Sequence, residues 1–304
     1  RVVILNRGYR AKWHGDVGIV SDGRRLHMDA AEAGDEAYML AKHLPQVPVL
    51  IGAERAKTGR YAMEHFGAEV AILDDGYQHW QLERDLDILL VDAVNVFGNG
   101  YILPRGTLRE PISHISRADV CLMTKVDQAV EGSCDYIRKT VHHYNPQAQI
   151  FESIHQPRCF IPLSDWYVNI AGEGIDVSLM KGKRIMAVSA IGNPASFEQT
   201  LSDIGAVIVE SLRYPDHHDY TMSEMADVFQ QAENVGVEAI VITEKDAVKI
   251  PADVAREKWS IPVYVICVEV TFQREAETFK DMLRKRLAER LGSRDKEEKG
   301  SIES

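Results

Sequence analysis

Residues 71–79, AILDDGYQH, place two carboxylates at the end of an apolar run. If this run is a strand, Asp74 and Asp75 stand at the carboxyl edge of a sheet, where open α/β folds bind ligands. Acids at such an edge hold a magnesium ion, directly or through its waters, in sites that bind nucleoside triphosphates. Asp-Asp-Gly is also common turn chemistry, so a solvated turn is an open alternative.

A second candidate is the loop LPRGTLREP at residues 103–111, which follows the glycine-bearing FGNGY of residues 97–101. Arg105 and Arg109 on such a loop suit planar, bidentate contact with phosphate oxygens. Glu110 adds a carboxylate beside them. Salt bridging at the surface is the alternative explanation for these charges.

Two further segments hold titratable groups near helix ends. AGDEAYMLAKHL (residues 33–44) puts Asp35 and Glu36 in the first turn of an amphipathic helix, where the helix dipole favours acids whatever their function. YPDHHDYT (residues 214–221) puts His217 and His218 between a strand and a helix. A proton-transfer dyad, a zinc site and a polar loop all remain open, with zinc disfavoured because no cysteine lies nearby.

TKVD (residues 124–127) and TEKDAVK (residues 243–249) each end a strand with Lys and Asp. The first resembles the base-reading loop of many P-loop NTPases, which makes Thr124, Lys125 and Asp127 candidate nucleotide contacts. Short motifs of this kind also arise by chance, and the second has no assigned role.

The elements that must position these residues follow from the hydrophobic pattern. Short apolar, β-branched runs alternate with helix-period segments, which predicts an α/β fold with doubly wound, mostly parallel sheets. The predicted strands are 2–5, 69–73, 86–91, 118–123, 149–154, 184–189, 206–211, 239–243 and 263–268. The predicted helices are 27–43, 55–66, 128–142, 195–204, 223–235 and 274–291.

The pattern lapses between residues 156 and 183, where prolines and glycines accumulate. We therefore expect a core domain over residues 1–155, a linker over 156–183 and a smaller α/β domain over 184–304. That second domain includes a C-terminal helix and a charged tail, which we expect to fray from Arg294 onward.

Composition narrows the class of protein. The 304 residues are 45% hydrophobic and 27% charged, which excludes a disordered chain, a collagen and a coiled-coil rod. A net charge of −11 disfavours nucleic acid as a partner. Four cysteines without a CxxC pair indicate reduced thiols of a cytosolic protein. No run approaches 18 apolar residues, so we expect no transmembrane helix and a soluble chain.

Eight motifs in order resemble the tetraacyldisaccharide 4'-kinase family. They are NRGYR, AGDEAYMLA, LDDGYQHWQLERDLDILLVDA, LPRGTLREP, TKVD, GNPASF, PDHHDYT and TEKDAVK, and they span residues 6–249. The resemblance implies a P-loop NTPase-like fold. It implies transfer of the γ-phosphoryl group of ATP, with Mg²⁺, to the 4'-hydroxyl of a tetraacyldisaccharide 1-phosphate, a glycolipid precursor of lipid A. It also implies a location at the cytoplasmic face of the bacterial inner membrane.

The resemblance implies a role for each matching residue. Asp35 matches the family's candidate catalytic base and His217 its partner, with His218 as the fallback. Asp74 and Asp75 match the acidic pair that works with Mg²⁺.

Two residues of the 103–111 loop also match the family. Arg109 matches an arginine that steadies the transferring phosphate, and Glu110 matches a further magnesium contact.

The departure from the family lies at the front of the sequence. Family members carry a hydrophobic N-terminal helix, a strand and a glycine-rich Walker loop before the strand that leads to RGY, whereas these residues contain no GxxxxGK[ST] motif. We therefore expect the first strand, the phosphate loop and the membrane anchor to lie outside this sequence, and the chain alone to be a poor kinase. The alternative is a catalytically inactive fragment that binds a glycolipid or a protein partner. An ATP-dependent ligase, a GTPase-like switch and a zinc hydrolase are more distant alternatives.

Overall fold

The computed structural model describes residues 1–168 and 174–302. The strands are β1 (Val2–Asn6), β2 (Gly18–Asp22), β3 (Pro48–Ile51), β4 (Val70–Leu73), β5 (Ile88–Asp92), β6 (Val120–Thr124), β7 (Gln149–Pro162), β8 (Arg184–Ser189), β9 (Val207–Arg213), β10 (Ala239–Thr243) and β11 (Val263–Phe272). The helices are α1 (Ala30–Ala33), α2 (Asp35–His43), α3 (Arg55–Phe66), α4 (Ser133–Tyr144), α5 (Leu163–Val168), α6 (Pro194–Asp203), α7 (Met222–Val235), α8 (Glu244–Ala247), α9 (Ala252–Arg256) and α10 (Ala276–Ile302).

The chain forms two compact units. Unit 1 contains Arg1–Gly76 and Pro157–Val268, and unit 2 contains Tyr77–Gln156 and Glu269–Ser304.

The first sheet of unit 1 has the strand order β2-β3-β1-β4. Strand β1 is parallel to β3 and β4, and β2 is antiparallel to β3. Val3 and Leu5 of β1 pack with Ala62 of α3, whereas Ile4 packs with Ala37 of α2. Successive residues of a strand face opposite sides of a sheet, so helices cover both faces, as a doubly wound sheet requires.

The second sheet of unit 1 runs β11-β10-β8-β9, with all neighbouring strands parallel. Met186 and Val188 pack with Phe229 of α7, and Ile185 packs with Leu201 of α6 on the other face. The apolar, non-alternating strands that the sequence shows are therefore buried on both sides.

Unit 2 is a smaller layer built on the parallel strands β5, β6 and β7, the last through Gln156. Cys121 and Met123 pack with Ile137 of α4 on one face. On the other face Val120 belongs to the same cluster as Phe279 of α10.

Each of the nine predicted strands is present, and β2 and β3 were not predicted. The helix predicted over residues 27–43 is two helices, because Gly34 between them has φ +83°. A Cβ at Gly34 would lie 2.6 Å from the carbonyl oxygen of Tyr9, so only glycine fits there. Helix α10 continues to Ile302, through the tail that was predicted to fray from Arg294.

The compact units differ from the predicted division into residues 1–155, 156–183 and 184–304. The chain leaves unit 1 after Gly76 and returns to it at Pro157, a path that a composition shift cannot reveal. The predicted linker contains the end of β7, helix α5 and a 3₁₀ helix at Val177–Met180, and its residues 169–173 lie outside the described residues. Within the described ranges, no helix combines the length and hydropathy that a membrane span requires.

Candidate active site

Asp35 and His217, which are 182 positions apart in sequence, are in direct contact in unit 1. Asp35 is the first residue of α2, and His217 lies in the loop between β9 and α7. His217 Nδ1 is 3.0 Å from Asp35 Oδ2, and the two side chains are 15% and 18% exposed. An ionised carboxylate can only accept hydrogen bonds, so this contact assigns a proton to Nδ1.

Lys249 contacts the same carboxylate oxygen. Its Nζ lies 3.0 Å from Asp35 Oδ2, and its side chain is only 2% exposed. Burial favours the neutral form of Asp35, but the interactions with His217 and Lys249 outweigh it and lower the pKa of Asp35 below its usual value. Asp35 is therefore ionised at neutral pH.

The other ring nitrogen of His217 also faces charged groups. Nε2 is 3.4 Å from Lys245 Nζ and 3.7 Å from Asp216 Oδ2. The backbone of His217 has φ +64°, in the left-handed region that non-glycine residues rarely occupy. It is held there by hydrogen bonds: its N–H donates to Ala190 O (3.1 Å), and its carbonyl accepts from Arg10 Nη1 (3.3 Å).

Asp74 and Asp75, the acid pair, follow strand β4 at the carboxyl edge of the first sheet. This is where the apolar run before them predicted they would lie. Because β4 is parallel to β1, Asp74 stands beside Asn6 at the end of β1, and Asn6 Nδ2 donates to Asp74 Oδ2 at 2.5 Å. Asp75 is exposed and has φ +49°. Arg55, buried at the start of α3, has its pKa lowered by burial, against the opposing effect of both acids.

The acid pair fits a magnesium ion. Mg²⁺ prefers oxygen ligands, and beside a nucleotide it takes one or two carboxylates together with phosphates and waters. Asp74 and Asp75 supply such carboxylates at one sheet edge. Among the residues that the structure describes, no three metal-ligating side chains form a cluster.

In unit 2, Glu110 is held by two basic side chains. Arg117 donates to both of its carboxylate oxygens at 2.9 and 3.1 Å, and His114 Nδ1 is 2.6 Å away. The guanidinium of Arg117 lies 4.5 Å from the ring centre of Tyr77 and 4.4 Å from that of Trp80. Burial raises the pKa of Glu110, but these partners outweigh burial and lower it. A magnesium ion at Glu110 would have to compete with Arg117.

The remaining predicted site residues also belong to unit 2. Arg109 is exposed beside Glu110, and Thr124 is the last residue of β6. Lys125, with φ +56°, donates to Asp92 Oδ2 at 2.7 Å, and Asp127 is exposed in the 3₁₀ helix Val126–Gln128.

Sequence reasoning missed three partners of the predicted residues: Asn6 beside Asp74, Lys249 beside Asp35, and Arg117 beside Glu110. Two of them had a signal in the sequence. Asn6 opens the NRGYR motif directly after a strand, and Lys249 closes TEKDAVK. No pattern marks Arg117, because its position depends on how the aromatic DDGYQHW segment packs.

Comparison with known sequences finds one family over almost the whole chain. The family described as "Tetraacyldisaccharide-1-P 4'-kinase" (LpxK) matches residues 1–288. A tetraacyldisaccharide 4'-kinase from Halothermothrix orenii is 36% identical over 279 residues, covering 90% of this chain and 73% of the relative. A protein of the same name from Syntrophus aciditrophicus is 39% identical over 276 residues, covering 89% and 71%.

A solved structure shows the same fold. A crystal structure of LpxK from Aquifex aeolicus, described as an "apo" form in complex with ATP, matches with a TM-score of 0.69 and 31% sequence identity. The match covers 94% of this chain and 79% of that chain. The P-loop NTPase-like α/β class expected from the sequence is thereby confirmed.

Proposed function

The chain belongs to the tetraacyldisaccharide 4'-kinase family, and we propose that Asp35 and His217 form the centre at which the acceptor hydroxyl loses its proton. The enzyme is an ATP-dependent kinase of lipid A biosynthesis. It transfers the γ-phosphoryl group of ATP to the 4'-hydroxyl of a tetraacyldisaccharide 1-phosphate. An inactive glycolipid-binding protein is not favoured, because the relatives are named as kinases.

The contact between Asp35 and His217 is the observation that carries the proposal. Phosphoryl transfer leaves little covalent chemistry to the protein, so positioning and charge neutralisation dominate. A sugar hydroxyl still needs a base within hydrogen-bond reach. His217 and Lys249 both contact Oδ2 of Asp35, so we place the incoming proton on Oδ1. His217 then orients the carboxylate and does not itself remove the proton.

The test is the kinetics of Asp35→Asn in the intact enzyme. Loss of a general base lowers kcat by about 10²- to 10⁴-fold, whereas the KM for ATP should change little. Asp22→Asn is the matched control, because Asp22 pairs with His27 (2.9 Å) elsewhere in unit 1. That control should keep the parent kcat. A raised KM for ATP with an unchanged kcat in Asp35→Asn would exclude the base role.

We propose that Asp74 and Asp75 hold Mg²⁺ in unit 1; Glu110, which the resemblance adds as a magnesium contact, belongs to unit 2 and is bonded there by Arg117 and His114. A bound Mg²⁺ would neutralise charge on the phosphate oxygens of ATP. The hydrogen bond from Asn6 fixes one oxygen of Asp74 and so limits the orientations of this carboxylate. Asp74→Asn should raise the Mg²⁺ concentration that gives half the maximal rate, and an unchanged Mg²⁺ dependence would refute the assignment.

We also propose nucleotide contacts in unit 2. Arg109 contacts the transferring phosphate, and Thr124, Lys125 and Asp127 contact the nucleobase of ATP. For Thr124, Lys125 and Asp127 the support is their placement at or beside the end of β6 and the left-handed backbone of Lys125, a conformation that is concentrated at functional sites; for Arg109 it is the family motif alone. Asp127→Ala should raise the KM for ATP more than it lowers kcat.

For location, we propose the cytoplasmic face of the inner membrane. Three consecutive residues, Tyr101, Ile102 and Leu103, are exposed to solvent. The Arg105 guanidinium lies 3.6 Å from the Tyr101 ring centre. Aromatic, apolar and cationic side chains together are typical of surfaces that contact anionic lipid. Leu103→Asp should weaken co-sedimentation with phosphatidylglycerol vesicles, and unchanged sedimentation would remove this support.

A further inference from the structure

The TEKDAVK segment (residues 243–249) brings two lysines to the Asp35–His217 pair from one short turn. Lys245 lies in helix α8, and Lys249 follows four positions later, just beyond the end of the helix, a spacing that puts side chains on the same side of a helical turn. Lys249 Nζ lies 3.0 Å from Asp35 Oδ2, and Lys245 Nζ lies 3.4 Å from His217 Nε2. One ammonium group therefore contacts Asp35 and the other contacts His217.

We propose that residues 243–249 are the positioning element of the pair: Lys249 holds the Asp35 carboxylate, and Lys245 reinforces the tautomer that Asp35 imposes on the His217 ring. This inference rests on the proposed role of Asp35 as the base. It assigns a task to a motif that otherwise has none.

Burial makes the contact between Lys249 and Asp35 specific. The Lys249 side chain is 2% exposed, and a buried ammonium is strongly disfavoured unless an anion faces it. Asp35 is that anion, and it is itself mostly buried. The ion pair thus keeps the Asp35 carboxylate beside Lys249, which limits the placement of a base that must meet a hydroxyl in one geometry.

The contact at the far side of the ring favours the same proton position on His217 as Asp35 does. An ammonium group has only donors, so Lys245 can bond Nε2 only if that nitrogen has a free lone pair. Asp35 requires the proton on Nδ1. Both contacts are satisfied together by the neutral ring that is protonated at Nδ1. Asp216, at 3.7 Å from Nε2, is too distant for a hydrogen bond.

A buried carboxylate anchors the turn to the loop that carries His217. Asp246 is fully buried and accepts hydrogen bonds from Thr243 Oγ1 (2.5 Å), Ala190 N (2.7 Å) and Tyr220 Oη (3.0 Å). The carbonyl of Ala190 accepts the N–H of His217. Asp246 therefore links the turn directly to residue 190 and to Tyr220, on either side of His217.

The first experiment compares Lys249→Met with Lys42→Met in the intact enzyme. Lys42 is on α2, like Asp35, but donates to the carbonyls of Trp166 and Tyr167. It therefore reports the general effect of losing a half-buried lysine on this helix. Lys249→Met should lower kcat by about 10- to 100-fold with little change in the KM for ATP. Lys42→Met should keep the parent kcat, and Lys249→Arg should recover part of the loss because it restores a cation.

The second experiment needs no activity. The ¹⁵N signals of the His217 ring, assigned with His217→Gln, should show a protonated Nδ1 and an unprotonated Nε2 in the parent protein at neutral pH. An asparagine at position 35 can donate to Nδ1 or accept from it, so in Asp35→Asn only Lys245 still selects the tautomer. Asp35→Asn should therefore keep the proton on Nδ1, and Asp35→Asn combined with Lys245→Met should give a mixture of both tautomers. A parent ring protonated at Nε2 would overturn the inference, as would the same tautomer population in Asp35→Asn with and without Lys245→Met.

The outcomes separate this inference from the proposed function. Full kcat in Asp35→Asn would refute the base role itself. A low kcat in Asp35→Asn together with parent kcat in folded Lys249→Met, checked by circular dichroism, would refute only the positioning role of the turn.

Discussion

The carboxyl group of Asp35 shows how competing effects on a single residue are resolved. Burial alone would favour its neutral form, but His217 and Lys249 stabilise the anion more strongly. The result is a carboxylate that is ionised at neutral pH and held through one oxygen. The same two partners make it a weaker base than a free carboxylate, so its catalytic contribution must come from position as well as from basicity.

Several predicted site residues have an unusual backbone. Asp75, Lys125 and His217 have φ of +49°, +56° and +64°. Non-glycine residues adopt this conformation at a cost, and such strain is concentrated at functional sites. The sequence marked these residues by their chemistry, but their backbone conformations are known only from the structure.

The lowered pKa of Asp35 predicts how stability depends on pH. Its folded pKa lies below its unfolded pKa of about 3.9. The ionised group therefore contributes stability above pH 4, and this contribution is lost as the pH falls through the folded pKa. The difference in unfolding free energy between the parent and Asp35→Asn should shrink from pH 5 to pH 2, measured by urea titration. A difference that grows over this range would contradict the contact with His217 and Lys249.

The contacts of Arg117 in unit 2 predict that replacing it by lysine lowers the free energy of unfolding. Arg117 makes two bonds to Glu110 between the rings of Tyr77 and Trp80. Lysine has neither the planar fork nor the stacking surface. Arg117→Lys should lower the unfolding free energy by about 1–3 kcal/mol.

The control for that change is Arg138→Lys, which alters a more exposed arginine in the same unit that pairs with Asp135 and Glu152. Surface pairs contribute about 0–1 kcal/mol, so this variant should remain close to the parent in urea titration. Equal losses in the two variants would show that the stacking of Arg117 has no special effect.

At the scale of elements, the hydrophobic pattern predicted most of the fold. Strands such as β8 and β10 have the predicted bounds, because apolar runs buried on both faces give a clear signal. Strands β2 and β3 were missed because β2 begins at Gly18 and β3 begins at Pro48, and both residue types are depleted in strands. The contact between Asp35 and His217 was expected only from the family resemblance, since no local pattern links residues so far apart.

Replacing Gly34 tests whether the close approach of Tyr9 to the start of helix α2 requires glycine. Alanine there would have φ +83° and a Cβ 2.6 Å from Tyr9 O, so Gly34→Ala should cost about 2–4 kcal/mol. Gly236→Ala is the matched control, because Gly236 has φ +67° but no atom within 4 Å of an added Cβ, and it should cost about 1–2 kcal/mol. Thermal unfolding of the two variants measures the difference. If Gly236→Ala is the more damaging, the close approach at Tyr9 is not limiting.

At the scale of the whole molecule, the sequence resemblance and the structure agree on the family but not on how the chain is divided. Unit 2 is inserted between two parts of unit 1 and completed by the C-terminal helix. The sequence pattern records the order of elements and not their grouping, so the predicted boundary near residue 156 marks the point where the chain re-enters unit 1. The predicted site residues accordingly belong to two units, with Asp35, His217, Asp74 and Asp75 in unit 1.

The most direct test of the central claim is a double-mutant cycle on kcat with Asp35→Asn and His217→Asn in the intact enzyme. If His217 acts only by orienting Asp35, its replacement should lower kcat in the parent background but have almost no further effect once Asp35 is asparagine. Multiplicative losses, in which each change lowers kcat by the same factor in either background, would show that the two residues act independently and would contradict this account.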